Sequence, residues 1–533
     1  MAITIQAAPT VQIAAWRPLI HEVSSNRYLN DAFTITGVTS GTGTYARFAC
    51  ASHTLKVGDV VTGTAFTGGA VAYNQKQTVT VVSGAYFETN VLYVAGSTGT
   101  ITRSNENFKI KCETYGFTGS AQTYSGITQN GGEIRITYAS AHELTTNDYI
   151  YLPDTSLYAG WYKVNTIVST TVLEVTAVWT STETGYTKTA ELIGTKRQEA
   201  IYVGANIRFR LDVSGHLQSI LTTEFFTDYQ AIPQATQNPK AIQHYGVLFT
   251  EEFDNEDGLL TTYDTKMSAS LPAIRAVWQH TETQSMSAYY AGNSSSLFLT
   301  KAPSIKYIRP GEEEQLSILV PSGFGTTKFA FQHFDLNGTP ATVQYSTAVT
   351  PYENRITIPV NSNIFSSSSV YFQVWLVNSA NTQKSEKRTF IVDKKNYQNP
   401  KRFHFENSLG GIDAYTFTGD YSEMQNTEKT GFKKQIGLSH AITERGHSVL
   451  GTFEQDEHSI TSEYLNKANA TWLKELSGSA WVVLRDGELA DQTVQKYIPV
   501  FVASAKQQVY TPLQPPQLKI VYKLSNSHLN LSN

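Results

Sequence analysis

The sequence predicts a mainly β, multidomain protein: β-sandwich host domains carry two inserted small β-barrel modules, and one C-terminal helix lies on a sheet. Three observations point there. Short runs rich in Val, Ile, Thr, Tyr and Phe recur along the chain between Gly, Asn, Asp and Pro turns. One N-terminal segment is written twice in different words. A single stretch carries apolar residues at convincing helical spacing. With 533 residues, the chain exceeds one core and needs roughly three to five domains.

The doubled segment is ASHTLKVGDVVTG (51–63) and SAHELTTNDYIYL (140–152). Six residues separate His53 from Asp59, and six separate His142 from Asp148. Strand-like runs flank each, TYARFACAS and EIRITYASA before, DVVTG and DYIYL after. Gly58 and Asn147 precede the two aspartates. Both residue types tolerate positive φ, so the exchange predicts a left-handed turn position. The match extends from Tyr73–Val79 against Tyr158–Val164 to Glu88–Gly99 against Glu174–Gly185. Two copies of one β module are therefore expected, at 34–103 and 126–187.

Between and after the modules, FKIKCETYG (108–116), ANIRFRLDVSG (205–215) and YGVLFTEEF (245–253) belong to a host domain formed by 1–33, 104–125 and 188–303. Removing both modules should bring WRPLIHEVSS, FKIKCE and IRFRLDV together as neighbouring strands, with the insertions projecting outward. Residues 304–393 offer seven short strands with turns at RPGEE and LNGTP, which predicts a sandwich of immunoglobulin or fibronectin-III type. DKKNYQNPK (393–401) reads as a linker. The last domain, 402–533, mixes strands with a helix over 462–476. There Leu465, Ala468, Trp472, Leu473 and Leu476 form one stripe, and Gly478 stands where a C-terminal cap belongs.

Charged residues make up only 16% of the chain, below the ~25% of ordinary globular proteins. A polar but weakly charged surface suits exposed sheets or large subunit interfaces, and all-β chains are often charge-poor in any case. The net charge of −4 and the lack of basic runs argue against a nucleic-acid partner. No stretch reads as a signal peptide or a membrane-spanning helix. Cys50 and Cys112 sit in strand-like contexts and are expected as buried free thiols, compatible with folding in a reducing cytosol.

No GxSxG, HExxH, P-loop or dinucleotide fingerprint occurs, so no catalytic residue, metal ligand or cofactor-binding residue is assigned. HEVSS (21–25) and HELTT (142–146) lack the second histidine of a zinc motif. EEFDNEDG (251–258), with Glu251, Glu252, Asp254, Glu256 and Asp257, is the best calcium candidate, against a solvated hairpin turn. EEE at 312–314 reads as a solvated turn. Tyr158, Trp161 and Trp179 could stack on sugar rings, or could be barrel core.

AAWRPLIHEVSS, IRFRLDVSGHLQSIL (207–221) and NSLGGIDAYTFTG (407–419), followed by a WLKEL helix and YIPVFV, resemble structural tail and baseplate proteins of tailed bacteriophages. The likeness is to those of Bacteroidetes-type phages and prophages, crAss-like ones included. The HxLxxGD-type modules resemble decorations of phage tail and fibre proteins, sometimes likened to a small domain of ubiquitin-activating enzymes. Asn147 departs from the glycine usual there. The resemblance implies a non-enzymatic virion protein of baseplate, tail-tip or adaptor-ring type, made in the host cytoplasm. It would assemble with itself as a ring or trimer and dock other tail proteins or fibres. A carbohydrate-binding adhesin contacting host-surface glycan is the alternative expectation, and a glycan depolymerase a third.

Overall fold

In the computed structural model, strands dominate and helices are few and short. The structure describes residues 3–9, 13–14, 18–25, 32–51, 53, 55–95, 98–103, 109–117, 120–153, 156–199, 201–203, 206–222, 225, 233–254, 260–277, 286–321, 324–350, 354–361, 369–433, 435, 447–486, 496–507 and 515–525. The chain forms two units: Met1–Leu221 with Gln243–Ile274, and Thr222–Ile242 with Arg275–Asn533. The host domain expected over 188–303 is thus divided, since 222–242 and 275–303 belong to the second unit. Thr236–Asn238 accounts for part of this by pairing with Asn354–Asn361.

The first unit holds both modules. In the first, Ala32–Ile35 and Gly37–Ser40 are halves of one strand kinked at Thr36. Around them run Tyr45–Ala49, Tyr86–Leu92, Lys76–Ser83, Val60–Thr64 and Gly99–Arg103, and the last returns to Ala32–Ile35. The second repeats the circuit: Gln122–Asn130, Glu133–Tyr138, Val172–Val175, Gly160–Ser169, Tyr149–Leu152 and Gly185–Glu199, which closes on Gln122–Tyr124. Each is a closed barrel, so neither exposes the unpaired edge of an open sheet. Their interiors are filled separately, by Phe48, Phe66, Tyr73 and Phe87 in one and by Ile127, Ile136, Tyr158 and Leu173 in the other.

Host strands join around a core of Leu19, Val23, Ile110, Cys112, Phe209, Tyr245, Val247 and Phe249. Ile20–Ser25 pairs with Asn206–Asp212, as expected. The FKIKCE strand differs from expectation: Lys109–Gly116 lies in another sheet, between Gly185–Glu199 and Ile242–Asp254. The cause is local. Gly185–Glu199 is long enough to leave the barrel and offer its far half, Glu191–Glu199, as the nearer partner.

In the second unit all seven strands expected over 304–393 are present. Glu313–Val320 and Asn354–Asn361 make one sheet with Thr236–Asn238. Ile305–Ile308, Arg388–Val392, Tyr371–Asn378, Thr327–Phe334 and Gln344–Tyr345 make the other. Leu316, Ile318, Phe329, Ile356, Phe372 and Phe390 fill the space between them. The C-terminal sheet runs in the order Ile412–Phe417, Lys401–Glu406, Val482–Asp486, Lys496–Gln507, Leu518–Leu524, His447–Thr461, Tyr421–Lys433.

One helix, Lys467–Gly478, lies on that sheet and buries Ala470, Trp472, Leu473 and Leu476 against Phe403, Phe405 and Tyr522. It starts later than expected because Asn466 is its N-cap, accepting from the Asn469 N–H at 2.8 Å. Gly478 is the last helical residue, and Ser479 ends the helix in an extended conformation rather than a left-handed cap.

Candidate functional site

The doubled motif is a turn lock, built twice. Gly58 and Asn147 have φ of 92° and 80°. Each donates its backbone N–H across the barrel, to Val79 O at 2.7 Å and Val164 O at 2.9 Å. Asp59 and Asp148 accept from the backbone N–H three residues earlier, Lys56 at 2.9 Å and Thr145 at 2.6 Å. His53 Nε2 donates to Ser83 O at 2.6 Å, and His142 Nε2 to Ser169 O at 3.0 Å. A carbonyl only accepts, so Nε2 carries the proton in both. In the second copy Nδ1 accepts from Leu144 N, which makes that ring neutral. Tyr73 and Tyr158 each bridge a carbonyl and an N–H of the descending loop, at Val94 and at Ser181. Every motif residue is engaged in holding its own barrel.

The three aromatics considered for sugar stacking are placed otherwise. Tyr158 is buried by its loop and Trp161 is buried against the host sheet; Trp179 is half-buried on Tyr158. Trp161 packs with Phe117, Tyr115 and Tyr149, and its Nε1 donates to Ser268 O at 2.7 Å. Gly246 makes room for it, since a Cβ there would meet the indole at 2.4 Å. Tyr158 and Trp161 therefore offer no open ring face.

The calcium candidate also divides. Glu251 accepts from Ser25 Oγ at 2.5 Å, and Glu252 is paired with Arg197 at 2.7 Å, both buried. The Asp254 side chain, Glu256 and Asp257 lie outside the described residues. Among the described residues no group of three His, Cys, Asp or Glu could hold a metal ion. Cys50 and Cys112 are buried free thiols, and burial pushes Cys112 up to about 12.

Glu312, Glu313 and Glu314 are not a solvated turn. All three are buried, because distant cations close over them within the second unit. Arg402 reaches Glu312 at 3.0 Å and Glu314 at 2.9 Å, and also donates to Glu313 O. Lys306 meets Glu314 at 2.8 Å, with its ammonium over the Trp472 ring. Arg485 lies 2.7 Å from Glu313, off the hydrogen-bonding line. Burial pushes Glu313 up to about 7 against the pull of Arg485 and Arg402. His404 is held well below its usual value by burial beside the same cations. Three carboxylates face three cations there, a buried cluster that ties distant strands together as a cement.

The NSLGGIDAYTFTG segment reinforces that cement. Asn407 donates to Leu299 O and accepts from the Leu409 and Gly411 N–H groups. Asp413 accepts from Thr300 and from Trp472 Nε1.

One feature of the C-terminal sheet is turned outward. Tyr421–Lys433 pairs with His447–Thr461 from Tyr421↔Ile460 to Lys433↔His447. Leu518–Leu524 supports that pair only at its base, over His458–Thr461. From Glu457 outward the two strands form a ribbon with no third strand among the described residues. Ser422–Lys433 is exposed throughout, including Met424 at 61% and Phe432 at 41%. Across from Gly431, Val449 is 50% exposed. At ~3.4 Å per residue the free part is roughly 30 Å long.

A second strand of the same sheet is paired on one side only over part of its length among the described residues. Lys496–Pro499 pairs on one side with Val483–Asp486, but Phe501–Gln507 pairs only with Leu518–Lys523 among the described residues. Phe501 is 65% exposed. Lys506 stands directly opposite Lys519, and neither strand contains an acidic residue. No helix among the described residues is long and apolar enough to cross a membrane. No family model matches this chain, and no curated protein matches it.

Proposed function

We propose that this chain is a non-enzymatic structural subunit that works by joining copies of itself, with the C-terminal ribbon as its joining element. The observation that carries the reading is the two-stranded ribbon Tyr421–Lys433/His447–Thr461, in which Ser422–Lys433 is exposed throughout, with Met424, Phe432 and Val449 among the ribbon's exposed apolar residues. An isolated two-stranded ribbon is at best marginally stable in water, and its open edge is a template for another strand. A covering partner resolves both costs. The closed barrels would serve as display elements for neighbouring proteins, with their motif residues spent internally.

Within that class we infer a component of a bacteriophage tail, of baseplate, tail-tip or adaptor-ring type, docking other tail proteins or fibres. Support comes from the resemblance of AAWRPLIHEVSS, IRFRLDVSGHLQSIL and NSLGGIDAYTFTG to such proteins. The glycan-binding alternative loses support because Tyr158 and Trp161 are buried.

Electron microscopy and light scattering of the purified full chain test the first statement. Symmetric assemblies are expected, and a monomer at all concentrations overturns it. Mass spectrometry of purified phage particles whose genome encodes this chain tests the second; absence of the chain from every such particle would defeat the tail assignment.

A further inference from the structure

We propose that Asn337–Gly338 is a self-modification site, where the folded chain loses ammonia and gains an aspartyl or isoaspartyl link. The chain's other Asn–Gly bond, Asn130–Gly131, is held back by its barrel. The chemistry is intramolecular and consumes only solvent water. The Gly338 nitrogen gives up its proton and attacks Asn337 Cγ. A C–N bond forms, the bond from Cγ to the side-chain nitrogen breaks, and ammonia leaves with that proton. The five-membered imide then takes up water at one of its two carbonyls, giving aspartate or isoaspartate. Glycine, with no β-carbon, lets its backbone nitrogen approach the side chain before it.

The structure separates the two sites. Asn337 and Gly338 stand exposed at the tip of the loop that follows Thr327–Phe334, beside Leu336 at 84%. Among the described residues no hydrogen bond holds the Asn337 side chain. A β-carbon on Gly338 would meet nothing within 4 Å, so the ring has room to close. The Gly338 N–H donates to Asp335 O at 3.0 Å, a neutral turn bond open to water and cheap to exchange. Asn130 is exposed too, but its Nδ2 donates to Glu174 Oε1 at 2.6 Å. That carboxylate is buried and paired with Arg135. Asn130 also pairs with Glu133 at the end of its strand. To react, it must leave a charge-assisted bond and unpair the strand end, which costs more than opening the turn at Asp335.

Conversion would alter the sandwich loop. Asp335 Oδ1 accepts from the Asn337 and Thr339 N–H groups at 2.9 and 2.8 Å, so a new carboxylate at 337 would sit close to an existing one. The isoaspartyl form also adds a main-chain atom inside that turn. The loop would then loosen as the chain ages. None of this depends on the assembly reading above.

The test ages the full chain for weeks and follows both asparagine-containing segments by peptide mass spectrometry. The readouts are the amide-to-acid mass gain and the splitting of a peptide into aspartyl and isoaspartyl forms. Unfolded in urea, the two sites should convert at similar rates, since the reacting dipeptide is the same. In the folded chain Asn337 should convert roughly tenfold or more faster than Asn130, the difference expected between a charge-assisted and a neutral hydrogen bond. Its rate should rise with pH, because the Gly338 nitrogen must lose a proton. Asn337→Gln, which closes a larger ring far more slowly, should silence that segment and leave Asn130 as before. Equal folded rates, a faster Asn130, a folded Asn337 that stays intact, or a signal that survives Asn337→Gln would each overturn the proposal.

Discussion

Gly58 and Asn147 occupy the same left-handed turn position in two barrels of unlike sequence, at φ 92° and 80°. A β-carbon in that region costs about 1–2 kcal/mol, less for Asn, whose short side chain is tolerated there. Gly58→Val should therefore lower stability by about 2 kcal/mol or more, while Asn147→Gly should leave it unchanged or slightly raised. Thermal melting of the two variants, compared in one buffer, checks the ordering; equal effects would refute the equivalence.

Trp161 joins the second barrel to the host sheet through aromatic packing and the Ser268 carbonyl. Trp161→Ala should cost about 3–5 kcal/mol, as a buried aromatic lost to a cavity does. Gly246→Ala should also destabilise, because its Cβ would drive into the indole. Urea denaturation followed by Trp fluorescence measures both. A Trp161→Ala protein of parental stability would mean that the ring is not packed as described.

Arg402 is the hub of the buried charges at Glu312 and Glu314. Arg402→Met leaves two buried carboxylates short of their cation, and about 3–5 kcal/mol should be lost. Adding Glu312→Gln and Glu314→Gln to the same chain should recover part of the loss. Chemical denaturation of the single and triple variants distinguishes this from simple loss of packing, which the added amides would not repair.

His21 is buried, neither ring nitrogen has a hydrogen-bond partner among the described residues, and burial lowers it from 6.5 to about 4. Its folded value lies below its unfolded one, so the unfolded chain binds the extra proton. Stability from this group is intact above about pH 6.5 and falls as the pH drops toward 4, by about 3 kcal/mol in all. His21→Leu should flatten that acid-side slope. Melting curves from pH 7 to pH 4 would show it, and an unchanged slope would count against the burial.

Glu313 pulls the other way. Its folded value of about 7 exceeds the unfolded 4.5, so its contribution to stability rises as the pH falls from 7 toward 4.5. Glu313→Gln should therefore gain stability at pH 8 relative to the parent, and little at pH 4. Paired melts at the two pH values measure the difference; a larger gain at pH 4 would contradict it.

What could be read in the sequence was what local chemistry specifies. The repeat was legible because the His-to-Asp spacing and the Gly/Asn exchange encode one turn, and turns are local. The helix was legible from the stripe through Trp472 and Leu476, but its start was not, since Asn466 rather than Ser462 captures the free N–H. EEE at 312–314 read as solvated because its partners Arg402 and Arg485 lie far along the chain. The same holds for Trp161, whose neighbours Phe117 and Ser268 come from distant parts of the chain. Nothing in YSEMQNTEKTGFK tells whether a third strand will stand beside it, so the ribbon emerges only from the pairing.

The strand Gly185–Glu199 belongs to the second barrel at one end and to the host sheet at the other. Neither body can melt without stripping hydrogen bonds from the other, so amide exchange should protect the two as a single cooperative block. An engineer wishing to replace one barrel would find the first a better cassette than the second, whose excision would sever a rib of the frame.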